Sequence, residues 1–226
     1  MHSRKLLSLT TILLASVPLT TAVASATPAL QTNRGCYLVG QSVAITGSGF
    51  APSRSYTVSL DGINLGVSKT GPTGGFSVKI KPGGLGANRA QNVEMLAASD
   101  GTITSRTTFT VTRRRGARIF NGSGTGVKIR AQFQAWGFDI NGAGSPYSIG
   151  STRLPVYVHY VGPHQHLRTT VALGNTGGQC GYLQTARRRV FPFTPAPGNW
   201  TLQLDTSRRY IKHPAGPVYK IPVRVS

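Results

Sequence analysis

Acidic side chains are what this sequence has least of. Five Asp and Glu stand against 25 Lys and Arg in 226 residues, a formal net charge of +20. The five are Asp61, Glu94, Asp100, Asp139 and Asp205. Asp61 and Asp100 each precede a glycine, the ordinary place of a turn residue. Paired carboxylates for glycoside hydrolysis would need two of the remaining three at the right separation. Also missing are G-x-S-x-G, H-E-x-x-H, the phosphate-binding P-loop, and a G-x-G-x-x-G that follows a strand. With no motif to assign a set of roles, the expectation is a protein that is not an enzyme and carries no cofactor. Helical periodicity is absent downstream of the first 26 residues. So is any apolar run long enough to span a bilayer.

Cysteine is scarce as well. Cys36 and Cys180 are the only two. In an oxidising compartment they can pair, and a loop this long gains much from closure. Two buried thiols packing like small apolar groups is the other reading, and sequence does not supply the distance that separates the two.

The first 26 residues are of a different kind. Arg4 and Lys5 precede an apolar run from Leu6 to Val17, and small residues end at Ala24-Ser25-Ala26. This pattern reads as a secretory signal peptide cleaved near Ala26, which predicts a secreted, extracellular protein with no membrane span after its removal. The remainder is long enough for one large β domain or two small sandwiches.

The stretch from Gly40 to Leu65 sets the fold class. Val43 and Ile45 alternate with polar residues, as do Tyr56, Val58 and Leu60. A period of two marks half-buried strands. Between the runs lies a corner, Gly47-Ser-Gly49-Phe50-Ala-Pro52, in which Phe50 is placed to fold back and plug a core. Asp61-Gly62 is a hairpin turn. Alternation returns at Phe76-Ser-Val78-Lys-Ile80, at Val93 to Ala97 and at Thr102 to Val111. Thr27 to Asn33 reads as a polar tether, and Cys36 to Val39 as the first strand. About seven short strands at this spacing predict an immunoglobulin-like sandwich.

On those residues, Gly40, Val43, Ile45, Gly47, Gly49, Phe50 and Pro52, the block resembles immunoglobulin-like repeats of the IPT/TIG type. Their G-x-x-V-x-I-x-G-x-G-F-x-P core is matched here, and Gly74-Gly75-Phe76-Ser-Val78 fits the same pattern. The resemblance covers about residues 34 to 112. It implies a spacer, adhesion module or accessory domain of a secreted bacterial protein, and it brings no catalytic residues.

Residues 113 to 126, basic and then glycine-rich, are expected to be a linker. The second half, 127 to 226, reads as a diverged echo of the first. Ala135-Trp136-Gly137-Phe138 parallels the first corner, lengthened by an insertion from Asn141 to Arg153. Cys180 falls near the position of Phe76 on a core-facing strand. Trp200 is expected in a second core, and Pro222 argues for an edge strand or a bulge. The fold class expected is therefore all-β, two immunoglobulin-like β-sandwich domains in tandem after a signal peptide.

The candidate binding residues are basic: Arg113, Arg114 and Arg115 with Arg118; Arg187, Arg188 and Arg189; Arg208 and Arg209. Guanidinium groups favour planar, two-pronged contact with phosphate or carboxylate. They predict non-specific association with an anionic cell-envelope polymer or another polyanion. Phe191, Phe193 and Tyr210 beside the later clusters keep open an extracellular nucleic-acid binder, in which rings would stack on bases. A weaker alternative is a metal site at His159, His164 and His166, although their spacing matches no established ligand pattern.

Overall fold

The computed structural model describes residues 27–124, 128–139 and 153–226. The expected signal peptide and nearly all of the expected insertion lie outside these residues. Every regular element among them is a β-strand, and no helix is long and apolar enough to cross a membrane.

The first half contains β1 (Ala29–Thr32), β2 (Cys36–Leu38), β3 (Val43–Ser48), β4 (Ser55–Leu60), β5 (Ile63–Lys69), β6 (Phe76–Ile80), β7 (Gln91–Ser99) and β8 (Thr104–Thr112). They form a three-stranded sheet ordered β1-β3-β6 and a five-stranded sheet ordered β2-β8-β7-β4-β5. Alternation decides which side chains meet. Val43 and Ile45 of the smaller sheet face Val58, Leu60, Leu96, Phe109 and Val111 of the larger one across a single core. Two sheets over one core make a sandwich, and its architecture is immunoglobulin-like.

Phe50 is buried at one end of this core and its amide donates to Gly74 O at 3.2 Å. The approach requires glycine at position 74, where φ is +74° and an added Cβ would lie 1.9 Å from Phe50 O. Asp61 and Gly62 both have positive φ, 49° and 81°, as a two-residue hairpin demands. The tether expected at 27–33 is corrected. Residues Ala29–Thr32 pair antiparallel with β3, and Leu30 enters the core. A four-residue strand with one buried side chain is too short to show a period.

The second half contains β9 (Gly116–Ser123), β10 (Arg130–Trp136), β11 (Pro155–Val161), β12 (Leu167–Asn175), β13 (Leu183–Gln184), β14 (Arg188–Arg189), β15 (Gly198–Asp205) and β16 (Val218–Val225). β10 pairs with β9, β13 and β14, and the other sheet is ordered β12-β11-β15-β16. A second, separate core fills the space between them. Ala131, Phe133 and Ala135 come from one side and Val156, Val158, Tyr160, Leu202 and Leu204 from the other. Trp200 is in it, its ring 5.4 Å from those of Phe191 and Phe193. β16, with Pro222, is an edge strand.

The expected linker also differs. Gly116–Ser123 is a strand in register with β10, Ala117 opposite Ala135 and Ile119 opposite Phe133. Its short alternation, Ala117 then Ile119, is flanked by arginines and glycines that mask it. Cys180 lies in the turn closed by the Gly177–Tyr182 bridge rather than on a strand. It is bonded to Cys36 of β2, with 5.3 Å between the Cα atoms and 144 residues between the positions. The bond ties the first core's sheet to the second half. A second link between the halves is Arg118 Nη2, which donates to Asn88 O at 3.0 Å.

Candidate functional site

Where the two halves meet, the surface opens into a cleft of about 700 Å³. One wall is the end of β2 and the turn after it, Leu38 to Gln41; the other carries Trp136 of β10 and Tyr219 of β16. Arg113, Arg114 and Arg115 run along the floor to Gly116. The run connects the last strand of one core to the first strand of the other, which places three guanidinium groups at the junction. Gly116 is required there, because an added Cβ would come within 2.4 Å of the Trp136 ring. Trp136 Nε1 donates to Arg114 O at 2.8 Å, so the indole is pinned over the arginine backbone. None of the described lining residues is acidic.

The three arginines differ in what occupies them. Arg113 reaches back over the first half, giving Nε to Arg89 O at 2.9 Å and Nη2 to Gly86 O at 3.0 Å. Arg115 donates only Nε, to Gly137 O at 3.3 Å, and partial burial pulls its pKa below the ordinary guanidinium value. Arg114 makes no side-chain hydrogen bond among the described residues and is exposed. Among the described residues the fork of Arg114 and the Nη edge of Arg115 are thus left without hydrogen-bond partners, and both residues line the cleft together with Trp136.

The other sequence candidates do not join them. Arg118 donates Nε to Gln134 Oε1 at 2.6 Å and lies over the Phe120 ring. Arg187 donates to Asn121 O at 2.6 Å and Ser123 Oγ at 2.8 Å, which fastens β14 to β9. Arg188 caps Ala172 O at 3.2 Å. Arg189, Arg208 and Arg209 are exposed, and Arg208 borders a separate hollow with Tyr157 and Thr170. A common cause explains this scatter. Between described residues the one close approach of a nitrogen base to a carboxylate is His159 with Asp205, and it uses no arginine. Lacking carboxylates, the guanidiniums bond backbone carbonyls instead.

The three histidines do not converge. His159 is fully buried, with Nδ1 2.7 Å from Thr170 Oγ1 and Nε2 3.0 Å from Asp205 Oδ1, and the Tyr210 ring lies 5.5 Å away. His164 and His166 are exposed in the β11–β12 turn. Among the described residues no group of three His, Cys, Asp or Glu could hold a metal. The metal alternative is thus corrected: alternation sends His159 beneath the 206–217 segment, while the turn carries the other two outward. Asp205 also accepts Ser207 N at 2.9 Å, and Gln203 Nε2 donates to Ile211 O at 2.8 Å, so this buried polar cluster anchors that segment to the sheet.

Sequence reasoning missed Trp136 and Tyr219. In the corner that parallels the first, Phe138 takes the buried place of Phe50, and Trp136, at the position of Ser48, is half-exposed. The legible signal was Gly116 directly after the arginine run, a residue with room for a ring above it. Elsewhere, burial raises the Glu94 pKa, and its hydrogen bond with Asp61 holds Asp61 low.

No family model matches the chain, and no curated protein does. Solved structures do. The human OSCAR ligand-binding domain is matched at 9% identity and TM-score 0.32, over 89% of this chain and 99% of that one. Salmonella alpha-2-macroglobulin reacted with methylamine is matched at 14% identity and TM-score 0.30, over 94% of this chain but 16% of its own length. Parabacteroides merdae β-glucuronidase is matched at 10% identity and TM-score 0.28, over 88% of this chain and 25% of its own.

Proposed function

We propose that this chain is a secreted binding module of two tandem immunoglobulin-like domains, the first of the IPT/TIG kind, which holds an anionic polymer of the cell envelope in the cleft between its cores. The observation that carries the reading is the pair Arg114 and Arg115. Among the described residues the fork of Arg114 and the Nη edge of Arg115 have no partner, whereas Arg113, Arg118, Arg187 and Arg188 bond the chain's own carbonyls and the exposed Arg189, Arg208 and Arg209 do not line the cleft. The reading is a non-enzymatic one, and among the described residues no acid lines the cleft. The net charge of +20 draws a polyanion to the molecule, and the cleft selects where it sits.

Binding to a labelled anionic polymer, measured against salt, tests this. Replacing Arg114 and Arg115 together with alanine lowers the slope of log K against log salt by about one per arginine. The exposed pair Arg208→Ala with Arg209→Ala leaves it nearly unchanged. Equal falls in both variants would show that charge alone binds and that the cleft has no part. Attachment to cells adds a second measure: protein already released in full at low ionic strength is not held electrostatically.

A further inference from the structure

Resting on the reading of the cleft as an anion site, we infer that its ligand is an acidic sugar chain, a pyranose bearing carboxylate or phosphate, rather than a nucleic acid. The argument starts from where the aromatic rings are. Single-stranded nucleic acid needs a basic groove with rings along it on which successive bases stack. Around the other arginine clusters the rings face inward: Phe191 and Phe193 pack on Tyr160 and Trp200 in the second core, and Tyr210 lies against buried His159. In the cleft, unengaged guanidinium and accessible rings coincide through Trp136 and Tyr219, the latter 38% exposed, and the hollow that Arg208 shares with Tyr157 is separate from it. Separate places of this size serve a short unit, not a running strand.

The shape agrees. A cleft of about 700 Å³ is in the range of small-ligand sites, roughly 300–1,000 Å³. Besides the arginines and the pinned indole, its lining includes Val39, 43% exposed, and Gly40, which carries no side chain. A pyranose offers an apolar C–H face to such a ring, and its acidic substituent takes the two-pronged contact that Arg114 and Arg115 leave open. The indole is fixed beforehand by Gly116 below and Arg114 O at its edge, so little side-chain ordering accompanies binding.

The test uses tryptophan fluorescence, since the chain has two tryptophans and Trp200 is buried. The probes are hexagalacturonate, its methyl ester, an oligomannoside carrying phosphate, inorganic polyphosphate and an oligothymidylate. Hexagalacturonate or the phosphorylated oligomannoside is expected to quench Trp136 saturably and to bind at least tenfold tighter than the methyl ester, polyphosphate or oligothymidylate; which of the two binds tells carboxylate from phosphate. Arg114→Gln with Arg115→Gln should weaken that binding at least tenfold, and Trp136→Phe, which keeps a ring and, lacking the reporting indole, is followed by titration calorimetry, should weaken it less. Polyphosphate or oligothymidylate binding as tightly as the sugars, lost in the same variants, overturns the sugar and leaves the anion site standing. The ester binding as well as the acid overturns the acidic ligand. Binding of none of the probes overturns both.

Discussion

At the scale of single residues, the second half depends on polar groups inside it. His159 and Asp205 are both fully buried and face each other at 3.0 Å, with Thr170 on the far nitrogen. Removing the imidazole takes one hydrogen bond from the buried Asp205 carboxylate and leaves those from Ser207 N and Gln203 Nε2. His159→Leu is expected to lower the free energy of unfolding by about 2 kcal/mol, read from urea denaturation, and to loosen residues 206–217 to proteolysis first. Tyr160 gives a pH signature. It is buried and donates to Val190 O at 2.8 Å, and burial pushes its pKa from 10.0 up to about 12. The folded group thus holds its proton more tightly than the unfolded one. Its stabilising effect is complete below pH 10, and falls as pH rises from 10 to 12, by about 1.4 kcal/mol per unit. Tyr160→Phe should be less stable at neutral pH and lose less over that alkaline window; parallel curves would refute the assignment.

At the scale of elements, the exposed edge is β5. Ile63, Leu65 and Val67 are 69%, 46% and 65% exposed, and among the described residues the strand pairs only with β4. An apolar edge with free backbone groups is a template for pairing with another chain. Charge keeps copies apart at low salt, and screening shortens that repulsion to about 3 Å at 1 M. Light scattering should therefore rise with salt, and Val67→Lys should suppress the rise without unfolding the protein; indifference of the scattering to that substitution would acquit the edge. The strands that could be read from sequence are those with one wet and one dry face, such as β3, β4 and β6. β1 and β9 could not, since a period needs several turns of the pattern: β1 has four residues, and the alternation of β9 is flanked by arginine and glycine. The cleft was half legible. Its arginines stand in a row, but Leu38, Trp136 and Tyr219 come from separate segments that only tertiary pairing brings together, and no spacing rule links them.

At the scale of the whole molecule, the Cys36–Cys180 bond is what joins the two cores covalently outside the main chain. It closes a loop spanning 144 residues, and in the chain-entropy account this stabilises the fold by about 5 kcal/mol through the unfolded state. Cys36 sits two residues before Leu38, on the strand whose end forms one cleft wall, while Trp136 and Tyr219 stand on the other. Each sandwich has its own core, so reduction does not dissolve either; it releases the wall that faces the indole. Cys36→Ser with Cys180→Ser is expected to lower the melting temperature and, at a temperature where the variant is still folded, to weaken anion binding through faster dissociation. The association rate is set by the overall charge and should stay the same. An unchanged dissociation rate in a folded variant would show that the cleft keeps its width without the bond, and that contacts such as Arg118 with Asn88 O hold the halves together unaided.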